Sequence, residues 1–94
     1  MLDIVPSNQF RKDLKLAKKR GFKIEKLRSV IIALAEGKKL EKRCRDHALS
    51  GEYSAFRECH IEPDWLLIYR IDEGVLELFL FRTGKHSESF LKSI

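Results

Sequence analysis

The sequence has little of what marks secreted, zinc-binding or membrane proteins. It has only two cysteines, Cys44 and Cys59, and they do not have CxxC spacing. A structural zinc site normally needs four ligand residues. No apolar run approaches the ~20 residues of a membrane span, and nothing resembles a signal peptide, because the first charged residue is the acidic Asp3. We interpret both cysteines as free thiols, with Cys59 in a strand, and expect a cytoplasmic protein with no membrane association.

The chain is also short. Its 94 residues can build one modest hydrophobic core, and 44% of them are hydrophobic, which is too many for a disordered chain. We therefore predict a single domain over residues 1–94.

Positive charge is concentrated in one half of the sequence. Residues 1–51 contain 14 Lys and Arg against 6 Asp and Glu, whereas residues 52–94 contain 5 against 8. Such a basic half indicates binding to a polyanion or to an acidic partner. The alternative is two helices whose lysine-rich faces are simply solvated.

The first half predicts one strand followed by two helices. Met1–Val5 is a short apolar strand that ends before Pro6. Ser7 or Asn8 can cap a first helix that ends at Gly21, and a second amphipathic pattern runs over Ile24–Glu36. Because the connection is short, we expect an antiparallel pair of helices.

The sequence after these helices predicts an exposed basic loop over residues 38–52 and then three consecutive strands with short turns. The strand patterns cover Tyr53–His60, Trp65–Ile71 and Val75–Arg82. Grouped helices and strands predict an α+β fold with a mainly antiparallel sheet.

The last predicted strand is apolar on both faces. Alternation places Leu76, Leu78, Leu80 and Arg82 on one face, and Val75, Glu77, Phe79 and Phe81 on the other. We expect a ligand, a partner or the C-terminal segment to cover the second face.

All three histidines lie between residues 47 and 86, each beside a loop signal: His47, His60 and His86. Asp64 and Arg82 fall near the predicted strand ends as well. Cleavage of an RNA phosphodiester needs a base for the 2′-hydroxyl, an acid for the leaving 5′-oxygen and a cation near the phosphorane charge. Histidine and arginine meet these needs.

Each of these residues also has a purely structural interpretation. A histidine at a strand end is commonly a hydrogen-bonding residue, and Asp64 after proline is a common turn residue. Trp65 is more typical of a core than of a base-stacking surface. The three histidines with Asp64 are also a possible metal site, although no HxH or HExxH pair supports one.

Three segments resemble the YafQ branch of the RelE toxin superfamily in order and spacing. They are residues 46–51 (DHALSG), 60–69 (HIEPDWLLIY) and 82–90 (RTGKHSESF). The chain continues for four residues beyond the aromatic Phe90, where relatives often end.

The resemblance implies a RelE-like fold and a toxin of a type II toxin–antitoxin system. It implies an endoribonuclease that cleaves mRNA on the translating ribosome and leaves a 2′,3′-cyclic phosphate, without a metal or other cofactor. The implied partners are the ribosome, mRNA and a cognate antitoxin, through which the complex would bind its operator DNA.

The resemblance also implies roles for individual residues. His86 becomes the general acid, and either Asp64 or His60 the base or the residue that orients it. Arg82 would hold the scissile phosphate and Phe90 would stack on a base, with His47 in support. Basic side chains of the first helix and of the following loop would grip ribosomal RNA: Lys12, Lys15, Lys18, Lys19, Lys38, Lys39, Arg43 and Arg45.

Two other functions remain open from the sequence. One is a RelE-fold toxin that inhibits DNA gyrase without catalysis, which would not need several histidines and an aspartate together. The other is a nucleic-acid-binding module that depends on the basic half alone. Such a module would tolerate His86→Gln but not the loss of its lysines and arginines.

Overall fold

A computed structural model describes residues 1–85 of the chain. His86 and Phe90 lie outside the described residues, so their assigned roles stay predictions. Within residues 1–85, neither helix is long and apolar enough to cross a membrane.

The described residues form two helices and five strands, joined in part by two single 3-10 turns at Lys42–Cys44 and Gly51–Tyr53. In chain order the elements are β1 (Asp3–Pro6), α1 (Asn8–Lys19), α2 (Ile24–Ala35), β2 (His47–Ala48), β3 (Arg57–Glu62), β4 (Trp65–Asp72) and β5 (Glu77–Lys85).

The strands make one mixed sheet in the order β1-β5-β4-β3-β2. Strand β1 pairs in parallel with β5, and the other three pairings are antiparallel. The predicted α+β class with a mainly antiparallel sheet is confirmed.

The helix ends follow the predicted local chemistry. The Ser7 hydroxyl accepts a hydrogen bond from the Phe10 amide at 2.9 Å, which identifies Ser7 rather than Asn8 as the cap of α1. Beyond the ends of the helices, Gly21 and Gly37 take positive φ angles of 78° and 75°, a conformation that costs glycine little.

The helices bury their apolar stripes against one face of the sheet. This core cluster includes Phe10, Leu27 and Leu34 from the helical half and Cys59, Leu67 and Tyr69 from the sheet. Cys59 is fully buried, as expected for a strand residue, and both cysteines are free thiols. We refer to the opposite side as the second face.

Several predicted boundaries were wrong. Strand β1 runs over Asp3–Pro6, not Met1–Val5, and α2 ends one residue earlier than predicted. The segment 38–52 is not a plain loop, because it contains both 3-10 turns and the short strand β2. It also buries Cys44, whose apolar surroundings raise the pKa of its thiol.

Strands β3 and β5 begin and end later than predicted. The 3-10 turn at Gly51–Tyr53 occupies the predicted start of β3, which therefore runs over Arg57–Glu62. Leu76 takes a positive φ of 55° in the β4–β5 turn, so β5 begins at Glu77 and reaches Lys85.

A β-bulge corrects the predicted faces of β5. Tyr69 pairs with Leu80, whereas its neighbour Ile68 pairs with Arg82, so Phe81 is the extra residue. The bulge shifts the alternation, which places Arg82 beside Ile68 on the second face and not with Leu80 on the core face.

Candidate active site

One row of residues crosses the second face from edge strand β2 to β5. The strand register aligns His47 with Glu58, Glu58 with Ile68, and Ile68 with Arg82. His60 follows two positions after Glu58 and so projects from the same face. Since neighbouring strands lie about 4.8 Å apart, the Cα atoms of Glu58 and Arg82 are separated by roughly 10 Å.

Glu58 lies between the two histidines of this row. Its carboxylate oxygens are 3.7 Å from His47 Nε2 and 4.0 Å from His60 Nε2. Glu58 is only 7% exposed, whereas the His47 side chain is 52% exposed. A buried carboxylate in this position can stabilise the positive charge of either imidazole once it takes up a proton.

The backbone fixes the orientation of both rings. His47 Nδ1 is 2.7 Å from the carbonyl oxygen of Arg45, and His60 Nδ1 is 3.1 Å from that of Pro63. A carbonyl oxygen only accepts hydrogen bonds, so each Nδ1 carries a proton. In the neutral ring, Nε2 is then the basic nitrogen, and it faces Glu58.

Arg82 is held by helix α1 at the edge of the sheet. Its Nε donates to Asp13 at 2.9 Å and its Nη2 donates to the same carboxylate at 3.1 Å. Asp13 also accepts the Thr83 amide at 3.1 Å. Strand β1 pairs only as far as Leu80, so this carboxylate satisfies the next part of the β5 edge.

Asp64 and Trp65 play different parts. Asp64 is exposed in the β3–β4 turn and lines a cleft with Phe22 and Lys85. Trp65 belongs to the core, as its pattern indicated: it is 3% exposed, and its Nε1 donates to the Thr83 hydroxyl at 2.9 Å. Trp65 pairs with Lys85, so the described chain ends beside the turn that carries Asp64.

The Asp46–His47 element is anchored from the core face. Asp46 accepts hydrogen bonds from the Tyr69 hydroxyl at 2.6 Å and from Arg57 Nε at 3.2 Å. Burial and the bond to Asp46 both raise the pKa of Tyr69, which keeps its hydroxyl a donor. This anchor fixes β2, and with it His47, against the edge of β3.

The structure thus brings His47 and His60 together around Glu58 and aligns Arg82 in the same row, with Asp64 in the turn that follows β3. Sequence reasoning missed Glu58 and Asp13. Glu58 could have been identified from its position two residues before His60 in a predicted strand. Asp13 could have been identified as a lone acidic residue in a lysine-rich helix.

The basic residues predicted to bind RNA are all exposed: Lys12, Lys15, Lys18, Lys19, Lys38, Lys39, Arg43 and Arg45. Lys38 forms an ion pair with Glu36 at 3.2 Å, and Arg43 with Glu41 at 2.9 Å. Exposed pairs of this kind are weak, so they leave the segment able to bind an anion.

Within the part of the chain that the structure describes, no group of three or more His, Cys, Asp and Glu side chains is placed to hold a metal ion. The metal site considered from the sequence also includes His86, which lies outside that part.

The geometry defines a small basic α+β protein of the RelE-like fold class, with a histidine–glutamate cluster on one sheet face. The family model described as bacterial toxin of type II toxin–antitoxin system, YafQ, matches residues 2–91. The chain belongs to this YafQ toxin family.

Relatives span nearly the whole chain. The protein named mRNA interferase toxin YafQ of Escherichia coli K12 is 38% identical over 89 residues, which cover 94% of this chain and 95% of the relative. The crystal structure of a metal-bound toxin from Helicobacter pylori is 46% identical with a TM-score of 0.89 and covers 96% of this chain and 100% of its own. YafQ in the E. coli DinJ–YafQ complex is 37% identical with a TM-score of 0.86, with coverages of 96% and 99%.

Proposed function

We propose that this YafQ-family toxin is a metal-independent endoribonuclease that cleaves mRNA on the translating ribosome and leaves a 2′,3′-cyclic phosphate. The observation that carries the proposal is the His47–Glu58–His60 cluster, in which each ring has its Nδ1 on a carbonyl and its Nε2 toward a buried carboxylate. The relatives named mRNA interferase toxins support the cleavage of mRNA.

His60 is the general base of the proposed reaction. Its Nε2 takes the proton of the 2′-hydroxyl, and Glu58 stabilises the imidazolium that forms. The 2′-oxygen attacks phosphorus as the bond from phosphorus to the 5′-oxygen breaks. The products are a 2′,3′-cyclic phosphate and a 5′-hydroxyl.

His86 supplies the proton for the leaving 5′-oxygen. Asp64, in the turn before the paired residues Trp65 and Lys85, is the alternative to His60 as the base or as the residue that orients it. Arg82 stands beside the developing phosphorane charge, and Asp13 sets the direction of its guanidinium. Phe90 stacks on a base of the bound RNA.

Binding and control involve other parts of the molecule. The exposed lysines and arginines of α1 and of residues 38–45 bind ribosomal RNA through a salt-sensitive electrostatic attraction. A cognate antitoxin neutralises the toxin in the cytoplasm and carries the complex to its operator DNA. The DinJ–YafQ complexes of E. coli support an antitoxin partner.

The test is cleavage of a defined mRNA by the purified protein, free and during translation. We expect cuts only in the translated message. Inhibition of gyrase supercoiling without cleavage would indicate the non-catalytic toxin instead. Binding without cleavage would indicate the nucleic-acid-binding module.

Glu58→Gln is expected to slow cleavage by about 10-fold or more, since each 1.4 kcal/mol of lost imidazolium stabilisation costs a factor of ten. Single-turnover rates on translating ribosomes measure the effect. The matched control is Glu62→Gln, which removes an exposed carboxylate paired with Lys26 at 3.1 Å and should leave the rate unchanged. Equal rates for Glu58→Gln and wild type would remove Glu58 from the mechanism.

A further inference from the structure

Four aromatic side chains form a cluster on the second face, in addition to the residues already assigned: Tyr53, Phe56, Phe79 and Phe81. The ring centroids of Phe56 and Phe81 are 4.8 Å apart, and Tyr53 stacks on Phe81 at 6.2 Å with an interplanar angle of 28°. Phe79 and Phe81 are similarly stacked at 6.4 Å and 27°. All four are half-buried, so each keeps part of its surface in contact with solvent.

A guanidinium group completes this aromatic cluster. The Arg70 guanidinium carbon lies 5.2 Å from the ring centroid of Phe56 and 5.0 Å from that of Phe79. These are cation–π distances. A dry core excludes such a charge, whereas proteins that bind single-stranded nucleic acid combine aromatic faces with arginine planes on which bases stack.

The cluster lies beside the proposed catalytic row. Arg70 pairs with Phe79 and stands two residues from Ile68, so the two rows are separated by about 7 Å along the strand. Phe81 precedes Arg82 directly, and Tyr53 and Phe56 lie in the segment that joins β2 to β3. The aromatic cluster and the phosphate-binding arginine therefore form one continuous surface.

We infer that the aromatic cluster is a stacking subsite for one or two bases of single-stranded RNA next to the cleaved bond. The inference rests on the proposed function, because it identifies the neighbouring nucleotides of the same substrate as the ligand. Stacking tolerates every base, and Arg70 adds attraction for the RNA backbone, so the subsite provides affinity and register rather than a strict sequence preference.

The test measures binding of a fluorescent single-stranded RNA hexamer to the purified toxin by anisotropy. Phe56→Leu and Phe79→Leu keep an apolar side chain but remove the ring, and each is expected to weaken binding by about 5- to 100-fold. The dependence of affinity on salt should stay the same, since no phosphate contact is lost. Phe10→Leu is the matched control: Phe10 is buried on the core face, so this change should lower the melting temperature but not the affinity.

Unchanged RNA affinity in both folded variants would overturn the subsite. Retained RNA binding with loss of binding to the antitoxin would also overturn it and would identify the surface as a protein interface. Cleavage of translated mRNA by the wild type is measured in parallel. If the wild type does not cleave translated mRNA, the proposed function is refuted. If the two Phe→Leu variants cleave mRNA and bind the RNA hexamer as tightly as the wild type, only the subsite is refuted.

Discussion

His86→Gln is expected to lower the rate of mRNA cleavage by about 10²- to 10⁴-fold, the range typical of a lost general acid. The uncharged amide cannot protonate the leaving 5′-oxygen, although it is close to imidazole in size. Binding should survive, because the attraction to ribosomal RNA is assigned to lysines and arginines elsewhere. Single-turnover cleavage and co-sedimentation with ribosomes measure the two effects separately.

The control for His86→Gln is a variant that changes binding alone. Lys18→Ala combined with Lys19→Ala removes two exposed charges of α1 and should weaken ribosome binding, most strongly at low salt. Cleavage of the bound message should continue. If His86→Gln still cleaves at the wild-type rate, His86 is not the general acid.

Asp13→Asn is expected to slow cleavage by about 10- to 100-fold, although Asp13 has no part in the proton transfers. Hydrogen bonds to charged groups contribute ~1.5–3 kcal/mol, and Asp13 accepts two of them from Arg82. Its side chain is only 9% exposed, so solvent screens the pair weakly. Without the carboxylate, the guanidinium loses the fixed direction that phosphorane stabilisation requires.

A double-mutant cycle separates positioning from a general effect on the fold. If Asp13 acts through Arg82, the Asp13→Asn/Arg82→Ala double variant should cleave no more slowly than Arg82→Ala alone. The NMR signal of Arg82 Nε–H should also exchange faster with solvent in Asp13→Asn than in the wild type. If the double variant cleaves more slowly than Arg82→Ala and the NMR signal is unchanged, Asp13 only supports the fold. If Asp13→Asn cleaves faster than the wild type, Asp13 restrains Arg82 instead of positioning it.

Local chemistry predicted the helical half of the fold well. A cap at Ser7, a glycine stop at Gly21 and apolar residues every three or four positions are properties of the chain itself, so the sequence displays them. Strand β2 escaped prediction, because its two residues are held by pairing with β3 and by the Asp46–Tyr69 hydrogen bond. Neither contact leaves a periodic pattern.

Only part of the candidate site could be predicted from the sequence, for a related reason. The histidines are conspicuous in the sequence, but Glu58 gains its importance from strand pairing, which aligns it with His47 across a strand edge. Asp13 lies 69 residues from Arg82 in the sequence. The bulge at Phe81 depends on the register between β4 and β5, so simple alternation placed Arg82 on the wrong face.

The 3′ end of the cleaved message tests the account most directly. After reaction on translating ribosomes, the upstream fragment is isolated and its terminal nucleotide is identified by mass. A chelator selective for transition metals is present throughout, with Mg²⁺ retained for the ribosomes. We predict a 2′,3′-cyclic phosphate end, formed at the same rate with the chelator as without it. A 3′-hydroxyl end, or cleavage that stops when the chelator is added, would contradict metal-independent attack by the 2′-hydroxyl.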